Sequence, residues 1–131
     1  MKKLTIIVTF IAIVACLISM EKNVPQAVRK GTPKTKPLIT FVELGSTNCI
    51  PCKQMQPVMQ GIEQTYGNKV QVIFYDVWQP KDKEMATKYG IKLIPTQVFL
   101  DKDGKEFFRH EGFFPQKDIE KLIDAKLANK K

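Results

Sequence analysis

Two cysteines three positions apart, Cys49 and Cys52, are the side chains of this sequence best placed for covalent chemistry. In disulfide exchange the nucleophile is a thiolate, and an ordinary cysteine is mostly protonated at neutral pH. A helix N-terminus offsets this, because its unpaired N–H groups and the positive end of its dipole stabilise a negative sulfur. Cys49 falls where a helix is predicted to begin, and Cys52 lies one turn further on, within reach of a disulfide to it. Cys49 would then attack a substrate disulfide to give a mixed disulfide, and Cys52 would resolve it. Pro51 is tolerated in the first turn, where its missing N–H would have no intrahelical partner. Two other readings compete with redox turnover. A structural zinc site needs four ligands, and beside the pair only His110 remains as a nitrogen donor, so no metal is expected. A purely structural disulfide between these positions would constrain almost nothing. A C-x-x-C beside a β-α-β pattern reads as redox chemistry.

The elements that must hold this pair can be read from hydrophobic pattern and punctuation. Leu38 to Leu44 reads as a buried strand. Gly45 to Asn48 is a turn, with Asn48 expected as the N-cap of a helix from about Ile50 to Tyr66, stopped by Gly67-Asn68. Val70 to Val77 is a second strand, and Lys81 to Tyr89 a short helix ended by Gly90. Thr96 to Leu100 and Lys105 to Glu111 are strands joined by the Asp101-Lys102-Asp103-Gly104 turn. Gln116 to Ala128 is an amphipathic helix with Ile119, Leu122, Ile123 and Leu127 on one face. The predicted order is β-α-β-α-β-β-α, with no internal repeat.

The chain has 131 residues, 44% hydrophobic and 26% charged, which is an ordinary balance for one globular domain. Its net charge of +8 is spread through helices and tails, without a basic run interleaved with aromatics. That describes a solvated surface near anionic lipid, and no nucleic-acid partner is expected. Residues 1–20 read as a signal peptide or membrane anchor: Lys2 and Lys3 form a positive n-region, and Leu4 to Ile18 is nearly continuous apolar sequence. Residues 21–37 read as a linker with three prolines, and residues 38–131 as the folded domain. The third cysteine, Cys16, sits in Ile13-Val14-Ala15-Cys16, which resembles a bacterial lipobox and marks Cys16 as a candidate for lipidation. Lipoprotein, uncleaved anchor and simple secretion near Ser19 all remain open. Lys22, Arg29, Lys30, Lys34 and Lys36 follow the apolar run, against the positive-inside rule, but the well-formed n- and h-regions favour export.

Cys49-Ile50-Pro51-Cys52-Lys53, Pro57 and Tyr89-Gly90-Ile91-Lys92-Leu93-Ile94-Pro95-Thr96 together resemble the thioredoxin family over about Lys36 to Leu127. Gly104 and Gly112 fall at the family's hairpin-turn glycine and at the glycine before its last helix. The resemblance implies an α/β thioredoxin fold, a central mixed β-sheet flanked by helices. It implies that Glu43, six residues before Cys49, is a buried acid able to take the proton of Cys52. It also implies that Pro95 is cis, packs against the disulfide and leaves the Ile94 backbone free to pair with an extended substrate. The sequence departs from the family at Asn48 and Gly45, where the family carries aromatics, and in having Ile-Pro between the cysteines. These departures bear on substrate range and reduction potential. Trp78 closes the second strand on the active-site side; partial replacement of the lost aromatics is one reading of it, and ordinary packing is the favoured one.

The function so implied is a protein-disulfide reductase, acting without a cofactor, on the extracytoplasmic side of a membrane. Its expected partners are exported cysteine-containing proteins and a membrane electron donor of the DsbD/CcdA type, and a monomer is expected. An oxidant or isomerase on the same fold is one alternative, less favoured because Ile94 before Pro95 resembles reductant thioredoxins. A metal-binding thiol chaperone is another, and the spacing offers no obvious second ligand.

Overall fold

The structure is a computed structural model that describes residues 36–129; the 1–20 segment with Cys16, and the linker up to residue 35, lie outside the described residues. Seven elements follow in the predicted order: β1 (Ile39–Gly45), α1 (Ile50–Tyr66), β2 (Val70–Asp76), α2 (Lys83–Lys88), β3 (Thr96–Asp101), β4 (Glu106–Glu111) and α3 (Gln116–Ala128). A short 3-10 turn, Gly67–Lys69, links α1 to β2. The strands form one mixed sheet in the order β2-β1-β3-β4. β1 and β2 are parallel, as a helical crossover requires, whereas β3 pairs antiparallel with both β1 and β4.

β1 is apolar at every position except Thr40 and Glu43, and this is the pattern of a central strand covered on both faces. Ile39 and Phe41 meet Met55, Val58, Met59 and Ile62 of α1 and Ile119 and Ile123 of α3. Phe99 on β3 stacks on Phe41 in that layer, with ring centroids 4.8 Å apart. Val42 and Leu44 point the other way, onto a second layer with Val77 and Val98, against which Met85, Ala86, Tyr89 and Ile91 pack. Strand alternation therefore sorts side chains between an α1/α3 face and an α2 face. Glu43 and Gly45 share the alternation of Ile39 and Phe41, so they belong to the α1/α3 face.

Three predicted elements are shorter than expected, β2, α2 and β4, the last beginning at Glu106 and not Lys105. β2 ends at Asp76, and Val77 N–H instead donates to Gly45 O across the chain at 2.9 Å. α2 starts at Lys83 because residues before it are held in turns, with Gln79 N–H bonded to Asp76 O and Asp82 N–H to Gln79 O.

Candidate active site

The registers Gly45–Asp76, Leu44–Thr96 and Thr96–Glu111 bring four chain ends together. The loop into Cys49, the Trp78 turn, the Leu93–Pro95 segment and the Gly112–Phe113 segment all leave the sheet at this end. Cys49 and Cys52 are joined in a disulfide, with Cα atoms 5.2 Å apart. The N-cap of α1 is Cys49 itself and not Asn48: its backbone is extended, and its sulfur accepts a hydrogen bond from Cys52 N–H at 3.4 Å. The cause lies one turn earlier. Ser46 Oγ accepts from Asn48 N–H, and Ser46 O accepts from Cys49 N–H, which carries the chain past Asn48 before the helix begins. A sulfur at the N-cap meets the first-turn donors that favour a thiolate. Cys49 is 9% exposed and Cys52 1%, so Cys49 is the sulfur a partner can reach.

Gly45 lets α1 approach the sheet this closely. A Cβ on Gly45 would stand 3.2 Å from Cys52 Cβ and 3.3 Å from its sulfur. Glu43, two residues earlier on the same face, is fully buried beneath this contact. Burial raises its carboxyl from its ordinary 4.5 to about 8, with a hydrogen bond from Gln97 Nε2 at 3.4 Å pulling weakly the other way. At neutral pH Glu43 is thus mostly protonated in the disulfide form.

The loop before Cys49 is clipped to the end of β2. Asp76 Oδ2 accepts from Thr47 N–H at 3.1 Å and Thr47 Oγ1 at 2.8 Å, and Asp76 Oδ1 accepts from Trp78 N–H at 3.2 Å. Burial pushes the Asp76 carboxyl up, but hydrogen bonds from Thr47, Trp78 and Ser46 together outweigh it and hold the group below its ordinary value.

The Ile94–Pro95 peptide is cis. Pro95 O accepts from Gly112 N–H at 2.8 Å, and Leu93 O from Thr96 Oγ1 at 2.7 Å. These bonds fix the segment on both sides of Ile94, whose own N–H and C=O find no partner among the described residues. Pro95 stands one register step beyond the Leu44–Thr96 pair, at the level of Gly45.

Sequence reasoning missed several residues at this end. Trp78, for which packing is the favoured reading from sequence over replacement of the lost aromatics, is 59% exposed, and Ile50, Leu93 and Phe113 are the other large exposed hydrophobics among the described residues. All four lie around the Cys49 end of the sheet. Gln97 was not singled out, because only the β1–β3 register reveals that it faces Glu43. The Asp76–Thr47 clip had one signal, a carboxylate closing a strand beside the turn into C-x-x-C.

Comparison with known proteins agrees with this architecture. Residues 24–127 match the family described as "Thioredoxin-like domain". The chain is 35% identical over 79 residues to a thioredoxin of Bacillus subtilis, which covers 60% of this chain and 73% of that protein. It is 33% identical over 92 residues to the chloroplastic thioredoxin Y of Oryza sativa subsp. japonica, covering 70% of this chain and 52% of the other. Among solved structures, a mutant thioredoxin from Halobacterium salinarum NRC-1 aligns with a TM-score of 0.62 at 20% identity, over 72% of this chain and 80% of that one. A structure described as a malarial protein aligns with a TM-score of 0.63 at 21% identity, over 69% of this chain and 98% of that one. These two structural likenesses speak for the fold alone.

Proposed function

The chain belongs to the thioredoxin-like family and is a thiol–disulfide oxidoreductase, and from that premise we propose that it works as a reductase of exported proteins. The observation that carries the reductase direction is the composition of the first turn of α1. A strong oxidant stabilises its reduced, thiolate form, which makes its disulfide easy to reduce. Here Pro51 removes one of the first-turn N–H donors, no histidine lies between the cysteines, and one backbone donor, Cys52 N–H, reaches the Cys49 sulfur, at 3.4 Å. Such a thiolate is only moderately stabilised, so the dithiol gives up its electrons readily.

In the forward reaction the Cys49 thiolate attacks a substrate disulfide, forming a mixed disulfide and releasing one substrate thiolate. Cys52 then attacks the Cys49 sulfur, closing the protein disulfide and releasing the second substrate thiolate. Glu43, buried on the face where Cys52 meets β1, takes the Cys52 proton. The Ile94 backbone pairs with the extended substrate and Pro95 abuts the disulfide. A donor of the DsbD/CcdA type restores the dithiol, and exported cysteine-containing proteins are the substrates. Residues 1–20 support this placement by their n- and h-regions, as a tether through an uncleaved anchor or an acylated Cys16.

Two experiments test the two parts. Equilibration of full-length protein with glutathione should place its reduction potential near the thioredoxin end of the range, about −270 mV, and a value close to the roughly −120 mV of strong oxidants would reverse the direction. A reporter fused after Lys131 should be active only outside the cytoplasm; activity confined to the cytoplasm removes the proposed donor and substrates.

A further inference from the structure

Beneath the disulfide a carboxyl and a primary amide lie side by side in the interior. Glu43 and Gln97 are fully buried register partners on β1 and β3, the two central strands of the sheet. Gln97 Nε2 donates to Glu43 Oε1 at 3.4 Å. The other oxygen of each group, Glu43 Oε2 and Gln97 Oε1, has no hydrogen-bond partner among the described residues. Two buried acceptors without a donor form a costly arrangement for an ionised carboxyl. A single proton satisfies both. With hydrogen on Oε2, Glu43 can donate to Gln97 Oε1 while Gln97 Nε2 donates to Glu43 Oε1, closing a ring of two hydrogen bonds between acid and amide.

We propose that Gln97 is a positioning residue for proton transfer, holding the Glu43 carboxyl so that it accepts and keeps the proton of Cys52. This rests on the dithiol reading of the site given above. With Cys49 in mixed disulfide with a substrate, the Cys52 thiol gives its proton to the Glu43 carboxylate. The Cys52 thiolate attacks the Cys49 sulfur, the Cys49–Cys52 bond forms, and the bond from Cys49 to the substrate sulfur breaks. The substrate sulfur departs with the bonding pair and takes a proton from solvent. The protein dithiol is oxidised and the substrate disulfide reduced, and the proton left on Glu43 closes the ring with Gln97. The Cys49–Cys52 disulfide seen here is the product state of that step.

The surroundings leave this assignment to few groups. Phe74 flanks Glu43 on β2, Cys52 approaches from α1, and His110 on β4 is the register partner of Gln97. Cys52 does not titrate while oxidised. His110 stacks on Phe114 at 4.2 Å, with Nε2 3.3 Å from Phe113 O.

The test uses the full-length protein, oxidised for spectroscopy and reduced to the dithiol for kinetics. Difference infrared spectroscopy reads the carbonyl stretch of protonated Glu43, identified by its loss in Glu43→Gln. In Gln97→Met, close in volume but without either amide group, this band should move to higher frequency. Attack of Cys52 on Cys49, read with an aromatic disulfide probe whose leaving thiolate is coloured, should slow about tenfold at neutral pH. An unmoved band or an unchanged rate overturns the proposal. A measurement on the unsubstituted protein guards against a variant that fails to fold. The side-chain amide resonances of Gln97 should titrate with the Glu43 carboxyl band, and their failure to do so also overturns it. Failure of the dithiol reading has its own signature, the absence of any mixed disulfide in Cys52→Ser.

Discussion

At the two sulfurs, burial divides the labour. Cys49 holds the N-cap and is the more exposed, whereas Cys52 is enclosed by β1. Cys52→Ser should therefore accumulate mixed disulfides with partner proteins on non-reducing gels, and Cys49→Ser should not; the opposite pattern would exchange the two roles. Glu43 adds a pH dependence whose sign follows from its raised pKa. The unfolded carboxyl loses its proton near 4.5 and the folded one near 8. The folded state thus binds more protons between these values. The stability contributed by Glu43 is greatest below about pH 4.5 and falls as pH rises to 8, by on the order of 5 kcal/mol. Thermal unfolding of the oxidised protein should show this decline, and Glu43→Gln should remove it. A wild-type melting temperature flat across that window would mean that Glu43 ionises freely in the fold.

At the scale of elements, the position of α1 against β1 is set by Gly45 and by the Asp76–Thr47 clip. Gly45→Ala puts a methyl against Cys52 Cβ and sulfur, neither of which is the free end of a flexible chain. It should destabilise the oxidised form by roughly 1–3 kcal/mol and shift the glutathione equilibrium toward the dithiol. The clip acts by charge. Because the Asp76 carboxyl sits below its ordinary value, its contribution is present at neutral pH and is lost only as pH falls through its folded pKa. Asp76→Asn should loosen the 46–48 loop, seen as faster amide hydrogen exchange at Thr47 and Trp78. Unchanged exchange would show that the turn holds itself. The long elements were legible in the sequence because their signals are local. Gln116–Ala128 has its apolar stripe, and Ile50–Tyr66 has Pro51 at its start and Gly67 at its end. What escaped depends on contacts between distant segments. The start of α2 at Lys83 follows turns tied to Asp76, and the N-cap at Cys49 follows from the Ser46 turn. The pairing of Gln97 with Glu43 spans 54 residues and requires the register of a strand pair that no local pattern specifies.

For the whole molecule, the sheet sends its chemistry and its exposed apolar side chains to the same end. Ile50, Trp78, Leu93 and Phe113 surround a disulfide whose reachable sulfur is nearly enclosed. A protein substrate can cover these side chains, and a small disulfide cannot. Trp78→Ser should raise KM for an unfolded protein disulfide several-fold while leaving the rate with a small aromatic disulfide unchanged; equal losses on both would place Trp78 in the chemistry instead.

Trp78 is also the only indole in the chain. It is largely solvated, and its backbone N–H shares the Asp76 carboxylate with the loop leading into Cys49. The intrinsic fluorescence of the whole protein in the tryptophan band therefore comes from one site beside the redox centre. Emission wavelength and quenching can follow partner docking and the change between disulfide and dithiol in real time, without a dye or an added label.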